Sequence, residues 1–431
     1  MPQPPIIIVG AGITGLVLAQ TLKKHSIPFI VYERDPNPLY RGKGWGITIH
    51  WALKSLMECL PRHISDRLPE AYVDPEATRN GENGHFLFFN LRTGEALWQV
   101  PPSCRIRMAR EKFRRLLMDG IEIQWDHTFH SFEASDDGAV RATFNTPNGA
   151  HTIEGSIIVG CDGSHSRVRA SLFPAPSMHE NYRLPVRLLG VSTIYPGKLA
   201  TKMRALDPFF FQGGDPLTNA SHWFSFLDSP ETSGRGDDTR DCQILVSWPH
   251  RRGFLGKDAP LDVPTKSRER VAFMKMVASS WAEPFHEIVQ SIPEEAEPKT
   301  ISLEDWVPPH DQWTNVPGSD HVVLVGDAAH AMTMYRGEAA NHGILDVESL
   351  LSAVLPALRA SEDALGEHLK EACKIYTQGM VERTAPAVLN SRQACLDAHV
   401  YERINDDSPL IQMRAANVQE PAFAREPVLA A

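Results

Sequence analysis

Pro5-Ile6-Ile7-Ile8-Val9-Gly10-Ala11-Gly12-Ile13-Thr14-Gly15-Leu16, followed one helix later by Phe29-Ile30-Val31-Tyr32-Glu33-Arg34, decides the fold. Ile6 to Val9 is a short, β-branched apolar run, the mark of a strand covered on both faces. Gly10, Gly12 and Gly15 fall at G-x-G-x-x-G spacing. The first glycine permits a tight turn, the second lets backbone approach a pyrophosphate, and the third lets a helix lie close on the strand. The helix predicted from Ile13 to Lys24 turns its free N–H groups and positive dipole end toward the same place. Glu33, eighteen residues after Gly15, ends the second strand, where an acid accepts hydrogen bonds from an adenosine ribose. The stretch reads as a dinucleotide site, and NAD and FAD both satisfy it.

The remaining composition bounds the class. The 431 residues suffice for two domains, or for one with a large insertion. With 43 basic and 53 acidic residues the net charge is −10, which argues against nucleic acid or an anionic membrane as the main partner. Six cysteines are scattered without a C-x-x-C pair, so they fit free thiols in a reducing compartment rather than disulfides or a zinc site. The N-terminal apolar run is a strand rather than a signal peptide, and no apolar run reaches the ~20 residues that span a bilayer. The expectation is a cytoplasmic protein without a metal, a monomer or homodimer that acts on a small molecule.

Downstream, residues 41–46 form a glycine-rich connection, either a flexible loop or backbone that approaches a cofactor near Gly46. Residues 51–60 read as a helix broken by Pro61. Residues 85–89 and 96–100 form an aromatic-rich hairpin. Residues 108–118 read as an amphipathic helix with Phe113, Leu116 and Leu117 inward and Arg114 and Arg115 on the solvated face. Arg110 lies near its start, where a cation opposes the dipole unless an anion is close. The strand 157–161 runs into an Asp162–Gly163 turn and a polar helix. Between 178 and 301, short alternating segments predict an antiparallel sheet, with a helix over 267–290 packed on it. Residues 321–325 return to a buried strand that ends in Gly326-Asp327. Residues 336–343 lead into a helix, and a long helix runs from 364 to 390 or beyond. The tail after Asp406 has several prolines and no periodic pattern, and is expected to be poorly ordered.

Three stretches in this order resemble one family. They are Gly10 to Gly15 with Glu33, Cys161-Asp162-Gly163-Ser164-His165-Ser166-Arg167, and Gly326-Asp327-Ala328-Ala329-His330. Together they are similar to the class A FAD-dependent monooxygenases, the aromatic hydroxylase or salicylate hydroxylase-like family. Residues 44–50 and 338–343 look most like fungal secondary-metabolism members. The resemblance implies an α/β fold, with a Rossmann-like FAD-binding domain of the aromatic hydroxylase type over 1–178 and 318–395. An inserted, mainly antiparallel β-sheet substrate domain would occupy 179–317, joined by the hairpin 85–100, and 396–431 would be a C-terminal extension. Bound FAD, transient NAD(P)H and O2 are implied. So is hydroxylation or epoxidation of an electron-rich aromatic, alkaloid, polyketide or terpenoid small molecule. A flavin oxidase or reductase without oxygen insertion is the alternative.

Carried over residue by residue, the resemblance places Glu33, with its neighbour Arg34, at the adenosine ribose, and Gly46 beside it by backbone. Arg110 would meet the phosphate or ribityl region, and Asp327, after Gly326, a ribityl hydroxyl. Asp162 and Gly163 would serve both FAD and NAD(P)H. Ala340 and Asn341 would open a helix facing the flavin pyrimidine. Arg187 is the candidate catalytic cation of the substrate domain, although Leu188 and Leu189 stand where relatives have glycine directly after the arginine. His222, Tyr195 and His330 are weaker candidates. Ala331 and Met334 occupy positions that are often proline in the family, and Ala339 replaces a usual glycine.

Overall fold

The computed structural model describes residues 4–41, 44–100, 104–134, 139–310, 313, 319–359, 365–419 and 421. Ile6–Val9 is the middle strand of a five-stranded parallel sheet. The order is Val322–Leu324, Ile158–Gly160, Ile6–Val9, Phe29–Tyr32, Ile123–Gln124. Ile8 lies opposite Val31 on one side and Val159 on the other. All four residues of the middle strand are buried, because both faces of the sheet are covered. The helix Ile13–Lys24 packs beside Arg110–Leu117 and Ala339–Leu358, and Leu365–Asp397 packs along the last of these. An antiparallel meander, Thr128–Ala134, Val140–Thr146 and Gly149–Gly155, stacks Phe144 on Tyr32 with ring centroids 4.1 Å apart.

A seven-stranded sheet forms the second layer. Its order is Lys299–Thr300, Val186–Tyr195, Arg240–Pro249, Ser221–Phe226, Phe210–Gly214, Leu87–Asn90, Ala96–Gln99. The hairpin Leu87–Asn90 with Ala96–Gln99 attaches through a parallel pairing to Phe210–Gly214. The strands alternate as pleated strands must. Phe211, Phe224, Ile244 and Trp248 belong to a core shared with the helices Ser267–Val277 and Phe285–Gln290. Gln212, Trp223 and Gln243 line a cavity on the opposite face, and Phe210 stacks on Trp223.

Three local expectations are corrected. Residues 267–290 form two helices, since Pro284 cannot donate into a continued helix and instead precedes the second one. The helix expected from Met108 begins at Arg110, because Met108 pairs with Ile47 in the ladder of Gly46–Ile49 with Ile106–Ala109. The tail after Asp406 is ordered through Gln419: Leu410 and Ile411 are buried, Arg336 donates to the carbonyls of Pro409 and Met413, and Asn390 donates to that of Gln419. Donors from the body of the protein thus satisfy carbonyls that this irregular segment does not pair by itself. No helix among the described residues is long and apolar enough to cross a membrane.

The first helix can lie on the first strand only because position 15 lacks a side chain. A methyl group there would overlap the Gly10 carbonyl oxygen. Gly15→Ala is expected to destabilise the protein by about 1–3 kcal/mol through overpacking. Urea denaturation of the purified protein checks this, and an unchanged midpoint would show that the helix can lift off the strand freely.

Candidate active site

A cavity of about 510 Å³ is lined by both sheets. Its cofactor-like end lies at the carboxyl ends of the parallel strands, where open α/β sheets hold ligands. Gly10, Gly12, Glu33, Arg34, Asp162, Gly163 and Asp327 line it, with Gly46, Arg110 and Ala340. Gly10 has φ +110°, and a methyl group there would stand 2.5 Å from the Cys161 carbonyl oxygen. At Gly12 and Gly163 a methyl would meet nothing within 4 Å, so backbone opens directly onto the cavity. Glu33 fastens the turn: its carboxylate accepts from the Ala11 N–H at 2.8 Å and the Asp35 N–H at 3.0 Å. Asp162 accepts from the Ser166 hydroxyl and from the Arg167 N–H, which holds its own turn in shape.

Arg110 stands at the first position of its helix and has no ion-pair partner among the described residues. Burial, then the charges of Arg114 and Arg41, push its pKa down. Such a cation calls for an anion from outside the chain. Arg114, expected on the solvated face, is buried; it donates to the carbonyls of Ala11 and Pro38 and lies over Trp125. Asp327 faces the cavity, and burial raises its carboxyl above the ordinary range. Ala339 and Ala340 open the 20-residue helix Ala339–Leu358 at the cavity wall, so its positive end points there. Glycine backbone, a helix start and an unpaired arginine therefore fit a dinucleotide diphosphate.

Four of the predicted residues do not line the cavity. Gly15 serves helix packing. Gly326 makes room for Thr14, whose hydroxyl would lie 2.8 Å from an added methyl. Asn341 bridges elements: its side chain accepts from the His50 N–H at 2.9 Å and donates to the Thr48 carbonyl at 3.0 Å. Arg187 is directed away, because its neighbour Leu188 lines the cavity and alternation turns position 187 to the other face. Its guanidinium pairs with Asp262 at 2.7 Å, so its placement as the catalytic cation is corrected. His222 contributes to the cavity lining, but its ring packs on the helix-covered face against Phe211 and Trp281, and the Tyr195 hydroxyl donates to the Ile288 carbonyl. Gly46 lines the cavity, but a side chain there would first overlap the Arg107 guanidinium.

Beneath the Gly326-Asp327 turn lies a buried network that sequence reading missed. Asp346 accepts from the Gly326 N–H and from His330, each at 2.7 Å, and pairs with Arg383 at 2.5 Å. Burial pushes the Asp346 carboxyl up, but His330, Arg383 and the Gly326 N–H outweigh it and hold it well below the usual carboxylate range. The only sequence signal was an acid on the apolar face of the helix, four residues before Leu350. Arg169 ties the two turns together by donating to the Ser164 and Ala328 carbonyls. The described residues contain no cluster suited to a metal ion.

Residues 3–193 match the family described as FAD binding domain. The chain is 53% identical over 420 residues, 96% of each chain, to a protein of Arthroderma benhamiae described as "Probable FAD-dependent monooxygenase". It is 38% identical over 366 residues to FAD-dependent monooxygenase tazP of Aspergillus terreus, with 82% of this chain and 89% of the other covered. Among solved structures, 2,6-dihydroxypyridine-3-hydroxylase from Arthrobacter nicotinovorans superposes with a TM-score of 0.71 at 17% identity, over 97% of this chain and 99% of that one. Klebsiella pneumoniae HpxO complexed with FAD and uric acid does so with a TM-score of 0.66 at 18% identity, over 92% and 89%. At these identities the solved structures speak for the fold.

Asp346→Asn leaves Arg383 without its carboxylate, and is expected to cost about 3–5 kcal/mol at pH 7. Because the native carboxyl is held below the ~3.9 of a free aspartate, its contribution is fully present above that value. It is lost progressively as pH falls from there through the native value. The stability gap between wild type and variant should therefore be constant near neutrality and close in strong acid, as read by denaturant titrations across pH.

Proposed function

The chain belongs to the FAD-dependent monooxygenases, and on that premise we propose that it uses NAD(P)H and O2 to hydroxylate or epoxidise an electron-rich small molecule. An aromatic, alkaloid, polyketide or terpenoid compound of secondary metabolism is the substrate class. The observation that carries this reading is the continuity of the cavity. The same space that touches Gly12 and Asp327 is walled at its other end by Trp45, Phe86, Trp223, Leu188 and Leu245. In this reading 1–178 and 318–395 make the FAD-binding domain and 179–317 the substrate domain. The six unpaired cysteines support a reducing, cytoplasmic setting.

FAD, when bound, supplies the redox and oxygen chemistry. The chain holds and surrounds it. Backbone N–H groups of the Gly10–Thr14 turn and the helix behind them would receive the diphosphate, with Arg110 as counter-charge. Glu33 and Arg34 would take the adenosine ribose, and Asp327 a ribityl hydroxyl. The Ala339–Ala340 helix start would stabilise negative charge on the pyrimidine. Asn341 contributes by holding His50 and Thr48 in place rather than by contact. Asp162 and Gly163 would serve both FAD and the transient NAD(P)H. The aromatic and aliphatic residues at the reacting end would limit water there, which would strengthen each of these electrostatic contacts.

Two measurements test the reading. With NAD(P)H, isotopically labelled O2 and a panel of electron-rich aromatics, at least one compound should accelerate NAD(P)H consumption and gain one labelled oxygen. NAD(P)H consumption that yields only hydrogen peroxide with every compound would instead place the protein among flavin oxidases. Glu33→Ala should weaken FAD binding about 10–100-fold, or ~1.4–2.8 kcal/mol, measured by fluorescence titration of the FAD-free protein. Unchanged affinity would remove Glu33 from the site.

A further inference from the structure

The substrate end of the cavity holds more positive charge than the chain neutralises. Arg105, Arg107 and Arg414 all line it and are 8%, 6% and 9% exposed. None of the three has an ion-pair partner among the described residues. Arg105 donates to the carbonyls of Asn83 and Gly84. Arg107 donates to the Thr48 and Ser225 hydroxyls, each at 2.9 Å. Arg414 donates to the carbonyls of Arg336, Pro409, Leu410 and Gln412. These acceptors are neutral, so they fix the guanidiniums in place without cancelling their charge. Asp207, whose charge acts on Arg105, is itself engaged by the backbone N–H groups of His85, Phe86, Phe209 and Phe210.

The three cations converge on one aromatic surface. Arg105 and Arg414 lie 5.9 and 4.9 Å from the centre of the Phe86 ring, and Arg107 lies 5.3 Å from that of Phe210. Phe210 stacks on Trp223 with centroids 5.1 Å apart and planes 14° from parallel. Two buried donors in the cavity lining, Arg107 Nε and Gln212 Nε2, have no acceptor among the described residues. His50, also in the lining, is held neutral with a pKa pushed down to about 3, by burial first and then by Arg414, with Arg105 and Arg336 adding to it. A dry positive field with unpaired donors is costly unless something anionic enters it.

Resting on the monooxygenase reading above, we propose that this end of the cavity is an anion subsite. The substrate is an aromatic acid whose ionised oxygen group is held by Arg105, Arg107 and Arg414 beside the Phe210–Trp223 stack. Carboxylate and phenolate share that chemistry. Charge-assisted hydrogen bonds to guanidinium are roughly twice as strong as neutral ones and set the orientation of the ring. Arg414 comes from the C-terminal segment, so the anion also bridges the strand Ile106–Ala109 side of the cavity to the tail.

The test compares matched charged and neutral probes on the FAD-loaded protein, by calorimetry and by quenching of tryptophan fluorescence. The pairs are 2-naphthoate with its methyl ester, and 4-nitrophenolate with 4-nitroanisole. At least one charged probe should bind ~10-fold or more tightly than its neutral partner. The pair that discriminates more strongly identifies carboxylate or phenolate as the group. Arg107→Gln and Arg414→Gln should each erase ~10-fold of that preference while the neutral probe keeps its affinity, and Arg107→Lys, which keeps the charge but not the planar fork, should restore only part of it. Equal binding of charged and neutral probes by the wild type would overturn the subsite, as would variants that weaken both alike. These are binding constants, so a protein that oxygenates neutral compounds without discriminating charge sinks only the subsite. A protein that binds the anions yet never transfers oxygen sinks only the monooxygenase reading.

Discussion

Three strand ends meet at the cofactor-like end of the cavity, and they can meet only because side chains are missing there. Gly10 lies against the Cys161 carbonyl, and the Thr14 side chain is seated between Gly326 and Gly343, where added methyl groups would stand 2.8 and 2.6 Å from its hydroxyl. These contacts join the ends of the strands Ile6–Val9, Ile158–Gly160 and Val322–Leu324 into one floor. The helix start at Ile13, the Asp162 turn and the Asp327 turn all take their direction from it. A single added methyl group would push apart elements that must present backbone N–H groups to one ligand. The absence of side chains is thus as much a constraint as any contact.

That floor was legible in the sequence because its parts are local. Glycine spacing, a β-branched run and a terminal acid can each be read within a few residues. The surroundings were less so. Arg114 looked solvated when its helix was considered alone, yet it lies four residues after Arg110 and so shares that face. Since Arg110 already pointed toward an anion, the spacing should have carried Arg114 with it, to the Ala11 carbonyl where it is found. Arg187 failed for the converse reason. Its strand was recognised, but pleating assigns alternate residues to opposite faces, and nothing local says which face meets the cavity. The observed pairing of position 188 with the cavity decides it.

Two kinds of buried charge separate what holds the fold from what awaits a ligand. Asp346 with Arg383, Arg336 with Glu338 and Arg392 with Asp305 are paired inside the protein. Each member would be expensive to bury alone, at several kcal/mol per ion, so pairing is the condition for having it there. Arg110 at one end of the cavity, and Arg105, Arg107 and Arg414 at the other, lack such partners among the described residues. Burial pushes Arg107 and Arg414 down to about 9, with the charge of Arg336 adding to the effect at Arg414. All four of these unpaired arginines line the cavity, where a ligand can supply the charge that the protein does not.

The substrate end resisted sequence reading because no segment contains it. Arg107 belongs to the strand Ile106–Ala109, outside the seven-stranded sheet that holds Phe210 and Trp223, and Arg414 to a tail without a periodic pattern. The tail is not an independent addition. Arg336 binds its carbonyls and also pairs with Glu338, which accepts from the Ala415 N–H and immediately precedes the helix Ala339–Leu358. One buried ion pair therefore connects the helix start at the cofactor-like end to the segment that supplies Arg414. Rigid placement of that arginine follows from the same element that aims the helix dipole. A change confined to the tail would reach the substrate end through Arg414, while the Gly10 turn, held by its own backbone contacts, would keep its shape.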